Sequence, residues 1–239
     1  MFDRPKYKEF ARIQLKKRWT IPVLMTLFGI VISQLFQIPS NTAMARLAST
    51  VHLSDFLSFY KELATQYKPS TVESACTWIS ILVMQIITLA QIRVYIKMSK
   101  SPEPVHFSDF IEGFSSWWRA VLAVLWQTLW IVLWSFLFII PGIIKMFSYS
   151  QMMFLIAEYP DLSVIDALTI SKKMTNGYKW HLFVMALSFL GWGLLSLLTL
   201  GIGWLWLEPY MTMSFTNAYH AMLKHALEAN IISIDDLKK

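Results

Sequence analysis

Two charges stand inside long apolar runs: Lys145, four residues past Pro141, and Glu208, five past Gly203. In hydrocarbon an unpaired charge costs about 3 kcal/mol or more, so such residues pair, face a cavity, or mark an ion or substrate path. At helical rise both lie about 6–8 Å from a turn. Opposite signs at matched depth predict an intramembrane pair. The alternatives are that each side chain snorkels past its turn, or that the pair only fixes helix register. Pro209 follows Glu208, removes a backbone donor and frees the carbonyl of Leu205, which predicts a kink. Freed carbonyls at broken helices bind ions and substrates in transporters, although proline also occurs in spans with no transport role. Tyr149, one turn after Lys145, and Tyr210, beside Pro209, can hydrogen-bond within such a site.

Other chemistries find no residues to carry them. His52, His106, His181, His220 and His225 never recur at i, i+4, and there is no H-E-x-x-H. Cys76 is the single cysteine, with no neighbouring histidine and no disulfide partner. Neither a phosphate-binding G-x-x-x-x-G-K-[ST] loop nor a G-x-S-x-G elbow occurs. The expectation is a non-enzymatic protein without metal or cofactor. A net charge of +6 would suit nucleic acid, but the basic residues flank apolar runs. That placement predicts membrane lipids as partners instead.

The elements that must hold these residues follow from composition and length. The chain has 239 residues, 56% hydrophobic and 15% charged, against about 25% charged in soluble domains. Too little polar surface remains to cover a soluble fold, so the chain reads as an all-α, polytopic membrane bundle. A crossing takes about 20 apolar residues, which places spans at about 20–38, 75–96, 119–140, 142–159, 182–200 and 202–222. The last two follow from length, because residues 182–223 as one helix would measure about 63 Å, twice the hydrocarbon core. Gly201 and Gly203 supply the reversal, and Pro141-Gly142 the preceding one. Six transmembrane helices in three hairpins result, with short interfacial helices between them.

The first 18 residues hold seven Lys and Arg, and segments 97–119, 160–181 and the tail are also rich in them. Both termini are therefore expected inside. Residues 1–19 form a basic cytoplasmic helix. The aromatic–basic junctions KKRW (16–19), SSWWR (115–119) and GYKW (177–180) each precede a rising span. Lys16, Lys17, Arg18, Trp19, Lys172, Lys173, Lys179 and Trp180 are the expected headgroup contacts. Ala43-Met44-Ala45 offers a cleavage site, but the first apolar region is longer than a signal peptide's, so an uncleaved anchor is expected. In the outer loop, 39–74, residues Leu53, Phe56, Leu57, Tyr60, Leu63, Ala64 and Tyr67 recur at helical spacing until Pro69. Capping boxes are expected at Ser70/Glu73 and Ser163/Asp166, with Asn176-Gly177 closing the latter helix and Ser108-Asp109 starting a short one that ends at Gly113. Trp126, Trp130 and Trp134 at i, i+4, i+8 form a stripe that either lines an acyl groove or packs on a helix. Gly29 and Ser33, four apart, admit a close helix approach.

The segments PGIIKMFSYS (141–150), DALTISKKMTNGYKW (166–180), LSFLGWGLLSLLTLGIGWLWLEPY (187–210) and Asn217-Ala218-Tyr219 resemble a bacterial integral-membrane family, domain of unknown function 975. The resemblance runs from about Phe107 onward and more loosely takes in the N-terminal helix. More distantly, the pattern is similar to the membrane domain of glycerophosphodiester phosphodiesterases, without their catalytic domain. The resemblance implies this architecture in a bacterial plasma membrane and supplies no reaction. Lipid interaction, envelope homeostasis or support of a partner is the expected role. The alternative is a small transporter using Lys145 and Glu208.

Overall fold

The computed structural model describes residues 2–50 and 68–237. The amphipathic pattern of the outer loop, Leu53 to Tyr67, lies outside the described residues. Among those described, every regular element is helical. Five helices are long and apolar enough to cross a membrane: Thr20–Thr42, Thr71–Lys100, Phe107–Phe136, Ile139–Glu158 and Lys179–Leu198. The sixth expected span, 202–222, falls in a further long helix that is less apolar.

The chain divides into two compact units, residues 28–84 and residues 1–27 with 85–239. The smaller contains parts of α2 (Thr20–Thr50) and α3 (Thr71–Lys100). Helix α2 continues through Pro39, past the expected end of the first span. Helix α3 starts on the Ser70/Glu73 box: Ser70 N donates to Glu73 at 2.6 Å and Glu73 N to Ser70 Oγ at 3.2 Å.

The larger unit opens with α1 (Arg4–Leu15), whose N-cap Asp3 accepts from Lys6 N at 3.1 Å. Tyr7, Ala11 and Leu15, four residues apart, are its buried face. After α3 comes α4 (Phe107–Glu112), begun by His106 and Asp109 rather than by Ser108; His106 N donates to Asp109 at 2.9 Å. A 3₁₀ turn, Gly113–Ser116, follows. Gly113 is pressed on α3 so closely that a Cβ would stand 2.6 Å from Ala90 Cα.

Helices α5 (Trp117–Leu137) and α6 (Ile139–Tyr149) form the tightest hairpin. Its corner is Phe138, extended at φ −162°, and not Pro141-Gly142 as expected. Pro141 sits in the first turn of α6, where its missing N–H leaves no bond unmade. Gly142 is needed for contact, because a Cβ there would lie 2.2 Å from Ser135 Oγ. Next come α7 (Met152–Glu158), wholly buried except Glu158, and α8 (Val164–Met174), begun by Ser163 and Asp166. The Ser148 carbonyl at the end of α6 accepts from Ser171 Oγ at 2.9 Å and Thr175 Oγ1 at 3.1 Å, which ties α6 to α8.

Helices α9 (Lys179–Leu187) and α10 (Leu190–Leu198) are separated by a break at Ser188-Phe189. The chain reverses over 199–203, with Gly201 at φ +84° and Leu200 at φ +53°. Helix α11 (Trp204–Glu228) then runs 25 residues through Pro209. It packs chiefly on α1, α8 and α10 and buries Ser214, Thr216 and Asn217 together with its apolar residues.

Candidate functional site

Glu208 and Lys145 are not brought together. Glu208 is half-buried and accepts from Thr26 Oγ1 at 2.5 Å and from Thr212 Oγ1, one turn on, at 2.9 Å. Thr26 has the Pro22 carbonyl, 3.1 Å away, as alternative acceptor. The Tyr95 hydroxyl lies buried beside Thr26 and Glu208 without closing a hydrogen bond of normal geometry. Lys145 instead rests over the Trp134 ring, 4.3 Å from its centre, with Tyr149 at 6.0 Å. The cause is packing: α6 contacts α5, α8 and α9, whereas α11 contacts α1, α8 and α10. Trp134 of the expected stripe thus holds a cation, and Trp126 and Trp130 meet edge to face at 6.0 Å.

Tyr210 points the site toward α1. The Arg12 guanidinium lies 5.6 Å from its ring centre, and the ring meets Phe189 edge to face at 5.5 Å. Lys8 Nζ lies 4.0 Å from the Phe189 ring centre. Lys8 and Arg12 thus lie one turn apart on α1 over this edge-to-face pair, and Lys16 follows as the C-cap of the helix. None of the three forms an ion pair among the described residues. Burial, then the nearby Arg12 and Arg4, holds the Lys8 ammonium below the usual lysine range. The Tyr210 hydroxyl is buried with no hydrogen-bond partner. Beside these groups opens a cavity of about 390 Å³ lined by Arg12, Trp19, Trp192, Leu195, Trp206 and Tyr210, among others.

Helix α1 is fixed to α11 through Asn217, whose Nδ2 donates to Tyr7 O at 3.2 Å and Gln14 Oε1 at 2.9 Å. Below it stands a cluster that spacing alone does not expose. Glu158, 8% exposed in its side chain, takes Lys100 as an ion-pair partner and Tyr219 OH at 2.5 Å, while His220 Nε2 meets Ser99 Oγ at 2.8 Å. These residues come from three elements, and only the pairs Ser99-Lys100 and Tyr219-His220 are adjacent in sequence.

The expected headgroup residues divide. Lys16, Lys17, Lys172, Lys173 and Trp180 are exposed, and Lys179 is half-buried. Trp19 lines the cavity instead. Arg18 is spent inside the protein: it donates to the carbonyls of Met98 at 3.2 Å, Ser101 at 3.1 Å and Glu103. Tyr149 is buried away from Glu208, against Lys145. Pro209 is buried within the continuous α11.

The fold and these sites define a helical protein with several membrane-length segments and a basic, aromatic end. Residues 138–226, from the corner of the α5–α6 hairpin to the last turn of α11, match the model of a family described as protein of unknown function (DUF975). Residues 107–137 and the N-terminal helix, where the resemblance was also expected, lie outside that match, and the expected likeness to the membrane domain of glycerophosphodiester phosphodiesterases is not among the matches. Comparison with curated proteins and with solved structures gives no match.

Proposed function

We propose that this is a multi-pass protein of a bacterial plasma membrane, non-enzymatic, whose role is to hold anionic lipid at its inner face. The observation that carries the reading is that Lys16, Lys17, Lys172 and Lys173 are all exposed, as is Trp180 at 68%. Each charge near an anionic leaflet contributes about 1 kcal/mol of attraction, and tryptophan favours the headgroup level. The contacts of α11 support its C-terminal half and the end of α3 lying on one side of the membrane. His220 meets Ser99 and Tyr219 reaches Glu158, the partner of Lys100, at the end of α3. Replacing Lys16, Lys17, Lys172 and Lys173 by Gln should reduce the total anionic lipid that co-purifies in mild detergent. An unchanged amount would count against this role.

A small transporter is the second reading, favoured by Glu208 having hydroxyls and no cation as hydrogen-bond partners. In that case Glu208→Gln abolishes flux in proteoliposomes while the protein stays folded. Unaltered flux removes the reading.

A further inference from the structure

We propose that the cavity between α1, α10 and α11 holds one acyl chain of an anionic phospholipid, with its phosphate on Arg12. The proposal rests on the lipid-holding reading above and names its specific site. Three observations at one place carry it.

The cavity is apolar along most of its wall, where Trp192, Leu195, Trp206 and Leu207 line it. At about 390 Å³ it falls at the small end of ligand pockets, which run roughly 300–1,000 Å³. That is room for part of one acyl chain, the rest of which would run on into the bilayer, and not for a whole two-chain lipid. Its length follows α11 from Gly203 to Tyr210, about 10 Å at helical rise.

Charge complementarity fixes which end takes the head. Arg12 lines the cavity and has no carboxylate within ion-pair distance among the described residues, nor do Lys8 and Lys16 one turn to either side. Lys8 and Arg12, one turn apart, have no anion between them, and the half-buried Lys8 ammonium is held below the usual range by burial first and by Arg12 and Arg4 after it. A phosphate beside Arg12 would relieve that repulsion and take a forked guanidinium contact.

The third observation is the Tyr210 ring, also in the wall, which holds the Arg12 guanidinium 5.6 Å from its centre. Trp19, also in the wall, begins the first span and sits where headgroup and chain meet. A neutral apolar occupant would use the wall but leave Arg12 and Tyr210 as they are. A second copy of the chain would need a carboxylate to match them.

The test uses the delipidated full chain in mild detergent, titrated with dioleoyl phosphatidylglycerol or dioleoyl phosphatidylcholine and read by native mass spectrometry. The expected result is one phosphatidylglycerol per chain, bound about tenfold more tightly than phosphatidylcholine. Arg12→Gln should remove that tenfold preference. Leu195→Trp, which fills the wall, should weaken both lipids. Equal affinity for the two lipids, an unchanged Arg12→Gln variant, or lipid-free dimers that Leu195→Trp abolishes would each overturn the proposal. Inorganic phosphate alone should not compete at millimolar concentration; if it does, the site is a phosphate site and the acyl chain is wrong. Loss of bulk anionic lipid in the Lys16, Lys17, Lys172, Lys173 variant with the single tight lipid retained would leave this site standing. The reverse pattern would leave only the surface reading.

Discussion

Replacing Asn217 by alanine should loosen α1 and leave the remainder of its unit folded. Asn217 is 8% exposed and gives α1 two hydrogen bonds, to Tyr7 O at 3.2 Å and Gln14 Oε1 at 2.9 Å. A typical buried hydrogen bond contributes about 1 kcal/mol net, so the pair accounts for about 2 kcal/mol of docking. Gln14 is half-buried and can hydrate its freed oxygen, so no large orphan penalty is added. Because about 1.4 kcal/mol is a factor of ten, opening of α1 should become about 30-fold more frequent. Hydrogen exchange reads this directly: amides of residues 7–15 should lose protection by that factor, while those of α8 and α11 change little. Since α1 carries Lys8 and Arg12, the same variant should retain less phosphatidylglycerol. Unaltered exchange in α1, or equal loss of protection throughout the unit, would refute the argument that these two bonds dock the helix.

Three further outcomes follow from the geometry. Lys145→Met and Glu208→Gln should be additive in thermal stability, with coupling below about 0.5 kcal/mol, because the two side chains have separate partners; a coupling of several times that would restore the ion pair. Glu158→Ala should cost about 1–3 kcal/mol in a thermal melt, since it strands the buried Tyr219 hydroxyl, whereas Lys100→Ala should cost much less because Lys100 is 55% exposed; equal costs would sink that account. Gly142→Ala should destabilise by about 1–3 kcal/mol through overpacking against Ser135. Ser135→Gly should recover part of the loss, since a glycine inside α5 itself costs about 1 kcal/mol, and Gly191→Ala, with nothing within 4 Å of its Cβ, should be neutral or stabilising; no recovery at all would place the strain elsewhere.

Length and hydropathy made five of the long helices legible, because burial in lipid demands a continuous apolar run and little else. The Ser70/Glu73 and Ser163/Asp166 boxes were legible for the same local reason: donor and acceptor lie three residues apart. The α5–α6 corner was not. Pro141-Gly142 carries turn chemistry, yet proline is also welcome in a helix's first turn, and the need for Gly142 arises from Ser135, seven residues earlier. The pairing of Lys145 with Glu208 rested on depth alone. Depth fixes a layer but leaves azimuth open, and the azimuth of α6 turns Lys145 to Trp134. Arg18 looked like a headgroup ligand until the carbonyls of Met98, Ser101 and Glu103, 80 to 85 residues away, were placed beside it.

Helix α11 shows why hydropathy fails for a helix that other helices enclose. Its two ends are tied to neighbouring levels of α3: Glu208 lies beside Tyr95, and Tyr219 reaches Lys100 through Glu158. Between them it packs on α1, α8 and α10. Its Ser214, Thr216 and Asn217 are buried with partners, which satisfies them without an apolar sequence. Helices α5 and α10, by contrast, leave Trp117, Leu125, Leu194 and Leu198 about half or more exposed in the protein alone, and their apolar side chains are what the lipid requires.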